Sequence, residues 1–384
     1  MTSRFLLLSI CFLLRNCIYA SIPFTMNPGC QLPQCNDFDH TALYYVANSV
    51  GDSTIHMVYS SFDELTIGLF ETAKGEKPTI NYPGLFAKNY TGAITFDGVK
   101  PTNSFFIVLR RIIEFIDIDD DGKLTDNDNI TTSHWIRDIL TNNVTFAKQP
   151  TEQPTFVLPL EMINGTLTVD IVYDGTKKRD SKFPKLMTAP KSIFLNIAFQ
   201  AEDFNSSKTR FAFELLQLMP GIEGTRIYSS RYIDDQYTPG IFNVWQLRTQ
   251  SSLYSASMLW KPVVYQSEDR TIEQNTLMKI YDIENNFTLD PTTDQGIYRS
   301  ILPVPVVSAF NVSLGQANDG FFTKTNYTFI QFTAGLDLLE PDSTAGFVTV
   351  ALIVSLALPV IVGVVAVIFM IKRKVSPPSS TDGI

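Results

Sequence analysis

Two apolar patterns divide this chain. From Ala345 to Ile371 the sequence is apolar and uncharged, and Lys372-Arg373-Lys374 closes the run. As a helix rising ~1.5 Å per residue it would extend roughly 40 Å, against ~30 Å for a bilayer's hydrocarbon core. This predicts one transmembrane helix over 345–371, with the basic cluster and a short tail, 372–384, on the cytoplasmic side. Elsewhere the pattern has a period of two. Ile193, Leu195, Ile197 and Phe199 alternate with polar or small residues such as Asn196 across Ser192 to Gln200. Leu167 to Tyr173 and Tyr327 to Phe332 are short, β-branched and aromatic, and turn pairs such as Asp97-Gly98, Asn164-Gly165, Pro220-Gly221 and Asp319-Gly320 break the chain between such segments. Phe211 to Met219 suits helix or strand and is assigned to strand. The expected fold is mainly β, a lumenal β-sandwich or prism-like ectodomain plus one C-terminal transmembrane helix.

The N-terminus carries a third apolar stretch. Met1 to Arg4 is a basic start, Phe5 to Leu14 is about ten apolar residues, too short to cross a bilayer, and Ala20 suits the last position before cleavage. Residues 1–20 are therefore expected to be a signal peptide and 21–344 a lumenal, glycosylated, β-rich region. A polar stretch over 119–154 suggests a soft boundary between two β units.

Composition narrows the chemistry. Asp and Glu number 39 against 30 Lys and Arg, a formal charge of −9, the wrong sign for nucleic acid and compatible with an acidic compartment. Of the cysteines, Cys11 and Cys17 would leave with the signal. Cys30 and Cys35 remain, expected to form a local disulfide in an oxidising compartment, with a redox pair or half of a metal site as alternatives. Asn89, Asn129, Asn143, Asn164, Asn205, Asn286, Asn311 and Asn326 each head an Asn-x-Ser/Thr acceptor sequence.

The sharpest local motif is Asp117-Ile-Asp119-Asp-Asp121-Gly122, running on to Asp128. Asp117, Asp119, Asp121 and Asp128 fall at EF-hand loop positions one, three, five and twelve, with Gly122 at six, and calcium is the cofactor to be considered. Position twelve is aspartate where the bidentate glutamate belongs, and Ile130-Thr-Thr-Ser argues against an exiting helix, so a solvated acidic turn is the competing reading. Catalysis finds little support. His40, His56 and His134 are the only histidines, His56 in a strand-like segment and His134 in a polar loop where it could titrate in acid. Asp234 and Asp235 would point to opposite faces of a strand rather than converge. In the apolar run, Ala351, Ser355, Pro359 and Gly363 recur every fourth residue and would form a stripe suited to packing against another helix.

Two blocks carry a resemblance. Tyr232-Ile-Asp-Asp-Gln-Tyr237-Thr-Pro239-Gly-Ile-Phe242 and Trp260-Lys-Pro262-Val-Val-Tyr265 resemble the glycosylated lysosomal membrane protein family, as do His56-Met-Val-Tyr59-Ser-Ser61, Arg111-Ile-Ile-Glu114-Phe115 and Phe310-Asn311-Val-Ser313, in the same order. The resemblance implies a single-span type I lysosomal membrane glycoprotein without catalysis. Its partner would be a lysosomal major-facilitator transporter of small peptides, which it stabilises and shields from lumenal proteases. The alternative is a lumenal or cell-surface receptor or adhesion module that uses the acidic loop with calcium, and a homodimer through the stripe is a further option. The family implies additional lumenal cysteines and a tyrosine-based sorting signal. This tail has neither tyrosine nor dileucine, which leaves delivery to the lysosome to a partner, or delivery to the plasma membrane.

Overall fold

The structure is a computed structural model. It describes residues 22–36, 41–125, 129–141, 145–146, 154–220, 225–231, 237–238, 240–241, 243–249, 254–340 and 346–375. The expected signal peptide, Asp128, Asn143, the pair Asp234-Asp235 and most of the tail lie outside the described residues.

Two antiparallel sheets face each other. In the first, Thr25–Met26, Leu43–Val50, Ser53–Ser60, Leu65–Ala73, Asn103–Ile116, Thr209–Met219 and Val306–Leu314 pair in that order. Asn129–Trp135 pairs with the second half of Asn103–Ile116. In the second, Thr145–Phe146, Thr155–Leu160, Gly165–Val172, Ser192–Gln200 and Tyr327–Gly335 pair in order, and Ser257–Trp260 and Val263–Tyr265 share the last strand's far side. Asn275–Ile280 pairs with Val263–Tyr265 and with Val306–Leu314, and so joins the two sheets. The polar stretch 119–154 does not separate two β units. Asn103–Ile116 before it pairs along ten positions with Thr209–Met219 after it, and the described residues between 22 and 230 and between 243 and 340 fall in one compact unit. Long-range pairing overrides local polarity there.

Between the sheets the core is aromatic. Tyr59 and Phe156 lie 4.1 Å apart between ring centroids, Phe199 and Phe211 4.8 Å, and Trp260 and Phe310 6.4 Å. The Tyr59 hydroxyl, buried on the first sheet, donates to the Val169 carbonyl of the second at 2.8 Å, which satisfies the one polar atom such a ring brings inside. Each fully buried ring or aliphatic side chain stabilises by roughly 1.5–3 kcal/mol.

The two sheets differ on their outer faces. Thr209–Met219 is buried at every position, because a second apolar layer, including Tyr82, Leu85, Ile94, Phe96, Ile297 and Tyr298, covers the outward Leu216 and Leu218. Ser192–Gln200 instead has Ile193, Leu195, Ile197 and Phe199 at 1% exposure or less, with Asn196 and Ala198 half-buried and facing outward. Cys30 and Cys35 form a disulfide with Cα atoms 6.2 Å apart.

The helix Gly346–Val375 belongs to a separate unit. It is long and apolar enough to cross a membrane. Ala351, Ser355, Pro359 and Gly363 are all exposed. Pro359 cannot donate to the Ser355 carbonyl, while the Ser355 hydroxyl donates to the Leu352 carbonyl at 2.9 Å.

Candidate functional site

The acidic loop closes on an arginine. Asp117, fully buried, accepts from Arg210 Nε at 2.5 Å and from the amides of Asp121 and Gly122 at 3.2 and 2.9 Å. Arg210 Nη1 donates to Asp319 at 2.8 Å, and Nη2 donates to Asp120 and to the Gln316 carbonyl, each at 3.0 Å. Its guanidinium also lies 4.6 Å from the Phe321 ring centroid. Burial works against the charge on Arg210, but the carboxylates of Asp319 and Asp117 outweigh it and hold the group more basic than usual. Gly122 is required here: at φ +71° a Cβ would stand 2.6 Å from Gln316 Cα. Asp119 is exposed, and Asp121 pairs with Lys123 at 2.8 Å. In this turn the positive charge facing Asp117 and Asp120 is the Arg210 guanidinium. Among the described residues no group of three or more His, Cys, Asp or Glu is placed to hold a metal.

A second buried charge cluster lies on the outer side of the first sheet. Glu214 pairs with Arg111, and Leu215 with Leu109, so Arg110 is the extra residue of a β-bulge. Consecutive strand residues ordinarily point to opposite faces, and the bulge lets both arginines reach one partner. Arg111 grips Glu214 through Nε and Nη2 at 2.9 and 3.0 Å, and Arg110 reaches Glu214 at 3.0 Å and Asp294 at 3.1 Å. The guanidinium carbons of Arg110, Arg111 and Arg137 lie 4.7, 5.1 and 4.7 Å from the Trp135 ring centroid. Glu64 is buried nearby. Desolvation, with Asp294 adding to it, pushes its carboxyl well above the usual range.

His134 is not in a loop. It lies on Asn129–Trp135, 8% exposed, with Nε2 3.6 Å from Glu114 Oε2. Glu114 Oε1 accepts from the Asn205 amide nitrogens, backbone at 3.2 Å and side chain at 3.3 Å. His56 is structural. Its ring contacts the Tyr45 hydroxyl at 2.8 Å and the Thr72 hydroxyl at 2.7 Å, and burial lowers its pKa to about 4.

The outer face of the second sheet holds a constellation that the sequence does not announce. Asp170, Asn196 and Gln331 lie side by side across three adjacent strands. Asn196 Nδ2 donates to Asp170 at 3.0 Å, and Gln331 Nε2 donates to Asn196 Oδ1 at 2.9 Å and to Asp180 at 2.7 Å. Arg270 pairs with Asp180 at 3.1 Å and lies 4.6 Å from the Phe329 ring centroid. Apart from Gln331, which lies buried beneath it, they line an open groove of about 470 Å³ together with Thr166, Thr168, Lys182, Glu268 and Tyr327. Burial raises the Asp170 carboxyl above its usual range and the Tyr327 hydroxyl to about 12. Asn196 was the one residue of this row marked in the sequence, as the polar break in an apolar strand.

The blocks that carry the family resemblance are largely architectural where described. Trp260 and Tyr265 are 0% and 1% exposed, and Arg111 and Glu114 belong to the clusters above. Of the Tyr232 to Phe242 block, only Tyr237, Thr238, Gly240 and Ile241 are among the described residues. A family model for glycosylated lysosomal membrane protein matches residues 42–376. The chain belongs to that family. Relatives named glycosylated lysosomal membrane protein include form B of Xenopus laevis, 25% identical over 86% of each chain. Another, from Danio rerio, is 20% identical over 92% of this chain and 86% of its own. The Homo sapiens member is 25% identical over 56% of this chain and 55% of its own. Among solved structures, an Escherichia coli K12 protein described as an aldose 1-epimerase aligns over 77% of this chain and 100% of its own. At 7% identity and a TM-score of 0.31 that likeness carries no argument on fold or chemistry.

Proposed function

We propose that this protein is a non-enzymatic accessory subunit of a polytopic lysosomal transporter of the major-facilitator type, which it stabilises and protects from lumenal proteolysis. It resides in the lysosomal membrane as a single-pass type I protein. The observation that carries the proposal is the helix Gly346–Val375, long and apolar enough to cross a membrane, with a small-residue stripe at Ala351, Ser355, Pro359 and Gly363. Within a bilayer, helices associate through close packing at small residues rather than through hydrophobic exclusion. Ala351, Ser355 and Gly363 supply such a face, and Pro359 leaves the Ser355 carbonyl free of its usual intrahelical partner. Family membership supports the lysosomal setting.

The test is co-purification of the full-length chain in mild detergent. The wild type should recover one multi-span protein in stoichiometric amount. Ser355→Leu with Gly363→Leu should lose most of it while the chain remains membrane-embedded. Recovery unchanged by the double substitution would refute the role of the stripe, and recovery of only a second copy of this chain would replace the transporter with a homodimer.

A further inference from the structure

The proposed accessory role makes no use of the groove on the second sheet. Its floor is polar where an outward strand face has no need of burial, and the floor is built. Gln331 is only 2% exposed, its Nε2 holds both Asn196 and Asp180 from below, and its Oε1 has no partner among the described residues. On the floor Arg270 is tied to Asp180 and Asp170 to Asn196, and Lys182 and Glu268 also line the groove, so both signs of charge are present. A ligand of either charge sign would meet like charge here, and an apolar ligand would cut Asp170 and Asn196 off from water. A neutral polyhydroxylated ligand does neither. Each hydroxyl both donates and accepts, so adjacent hydroxyls can bridge a carboxylate and an amide side by side. The hydroxyls of Thr166, Thr168 and Tyr327 extend the same polar surface, and the half-buried rings of Tyr327 and Phe329 offer apolar area to C–H groups.

The source of such a ligand is also marked. Asn326 directly precedes Tyr327, and Asn164 stands two residues before Thr166. Both acceptor sequences meet at the Gln200 end of the groove, where the Ala201 amide donates to the Asn326 carbonyl at 3.2 Å and Asn164 Nδ2 donates to Glu202 at 3.1 Å. We propose that this groove is a saccharide-binding site whose ligand is an N-linked glycan. The glycan comes either from the chain's own Asn164 or Asn326, or from another glycoprotein.

Saturation-transfer NMR on the full-length chain in detergent, with free trimannosyl-chitobiose core as the probe, tests the site. The Asn164→Gln, Asn326→Gln chain should bind at about millimolar ligand. Asn196→Leu should weaken binding about tenfold, as for loss of a buried hydrogen-bonding partner. Thr168→Val, which keeps the side-chain shape on a half-buried position, should weaken it about threefold with an unchanged melting temperature. If only the chain lacking both acceptors binds, the native occupant is its own glycan. If both chains bind equally, the ligand is presented by another molecule. Lack of transfer to the chain lacking both acceptors, or affinity indifferent to both groove substitutions, overturns the proposal.

Discussion

The outer faces of the two sheets put similar strand geometry to different uses. On the first, an apolar layer covers Leu216 and Leu218 and two arginine clusters are sealed beside it. On the second, Asp170 and Asn196 stay open to a groove, with Gln331 buried beside them. Buried arginines on the first face are matched by carboxylates, which fixes how the connecting segments sit on the sheet. Among the described residues, Glu64 is the buried carboxyl there left without a direct ion pair. On the second face the polar groups are tied to each other but still face outward. Stability is therefore concentrated on one face and available surface chemistry on the other.

The largest expected effect comes from breaking the matched side. Arg210→Met would leave Asp117, Asp120 and Asp319 uncompensated and should cost about 3–5 kcal/mol, measured by urea unfolding of the full-length chain in detergent. Adding Asp117→Asn and Asp319→Asn should recover much of that loss, which separates charge from packing. Calcium at millimolar concentration should leave wild-type unfolding unchanged, and a clear stabilisation would show that the loop binds an ion despite Arg210.

Next in size are the pH effects. His56 is held at about 4 by burial, below its ordinary 6.5, so the unfolded chain takes up a proton first as pH falls through that window. The stability that neutral His56 contributes is complete above 6.5 and declines by up to about 3 kcal/mol towards pH 4. His56→Gln should flatten the decline. Glu64 acts with the opposite sign. Its raised carboxyl favours the fold in acid, fully below the ordinary 4.5, and that contribution is lost as pH rises towards its folded value. Glu64→Gln should therefore stabilise more at pH 7 than at pH 4.5, checked by melting curves at the two values.

Smaller still is the response of the open face. Asn196→Leu should cost about 1–2 kcal/mol, since it takes a hydrogen-bonding partner from Asp170 and from the buried Gln331. A loss as large as that of Arg210→Met would erase the distinction between the faces. The smallest effect concerns glycosylation. Asn311 lies inside Val306–Leu314, paired with Glu214 on one side and accepting from the Tyr281 amide on the other. Asn311→Gln should leave electrophoretic mobility unchanged, whereas Asn164→Gln and Asn286→Gln, at exposed turns, should each remove one glycan.

The same contrast explains what the sequence disclosed. Ser192–Gln200 was legible as a strand because one face is wet, so alternation survives. Thr209–Met219 was ambiguous because both of its faces are covered and the alternation vanishes. His134 looked like a loop residue because Thr131 to Ser133 are polar, yet that segment is an outer strand whose pairing with Asn103–Ile116 tolerates polar side chains. The acidic loop announced itself as a cation site from spacing alone. Its buried Asp117 also faces the guanidinium of Arg210, 93 residues away, which no local pattern reveals. Likewise the groove needs three strands in register before Asp170, Asn196 and Gln331 become neighbours. The apolar helix was fully legible, since length and apolarity suffice.

The accessory role rests on that helix having a partner, and one measurement addresses it directly: the lumenal half-life of the co-purifying multi-span protein, by pulse-chase, with this chain present and absent. The account predicts that removal shortens the half-life severalfold, that lysosomal protease inhibitors restore it, and that Ser355→Leu with Gly363→Leu behaves like removal. An unchanged half-life in cells that lack the chain would contradict it.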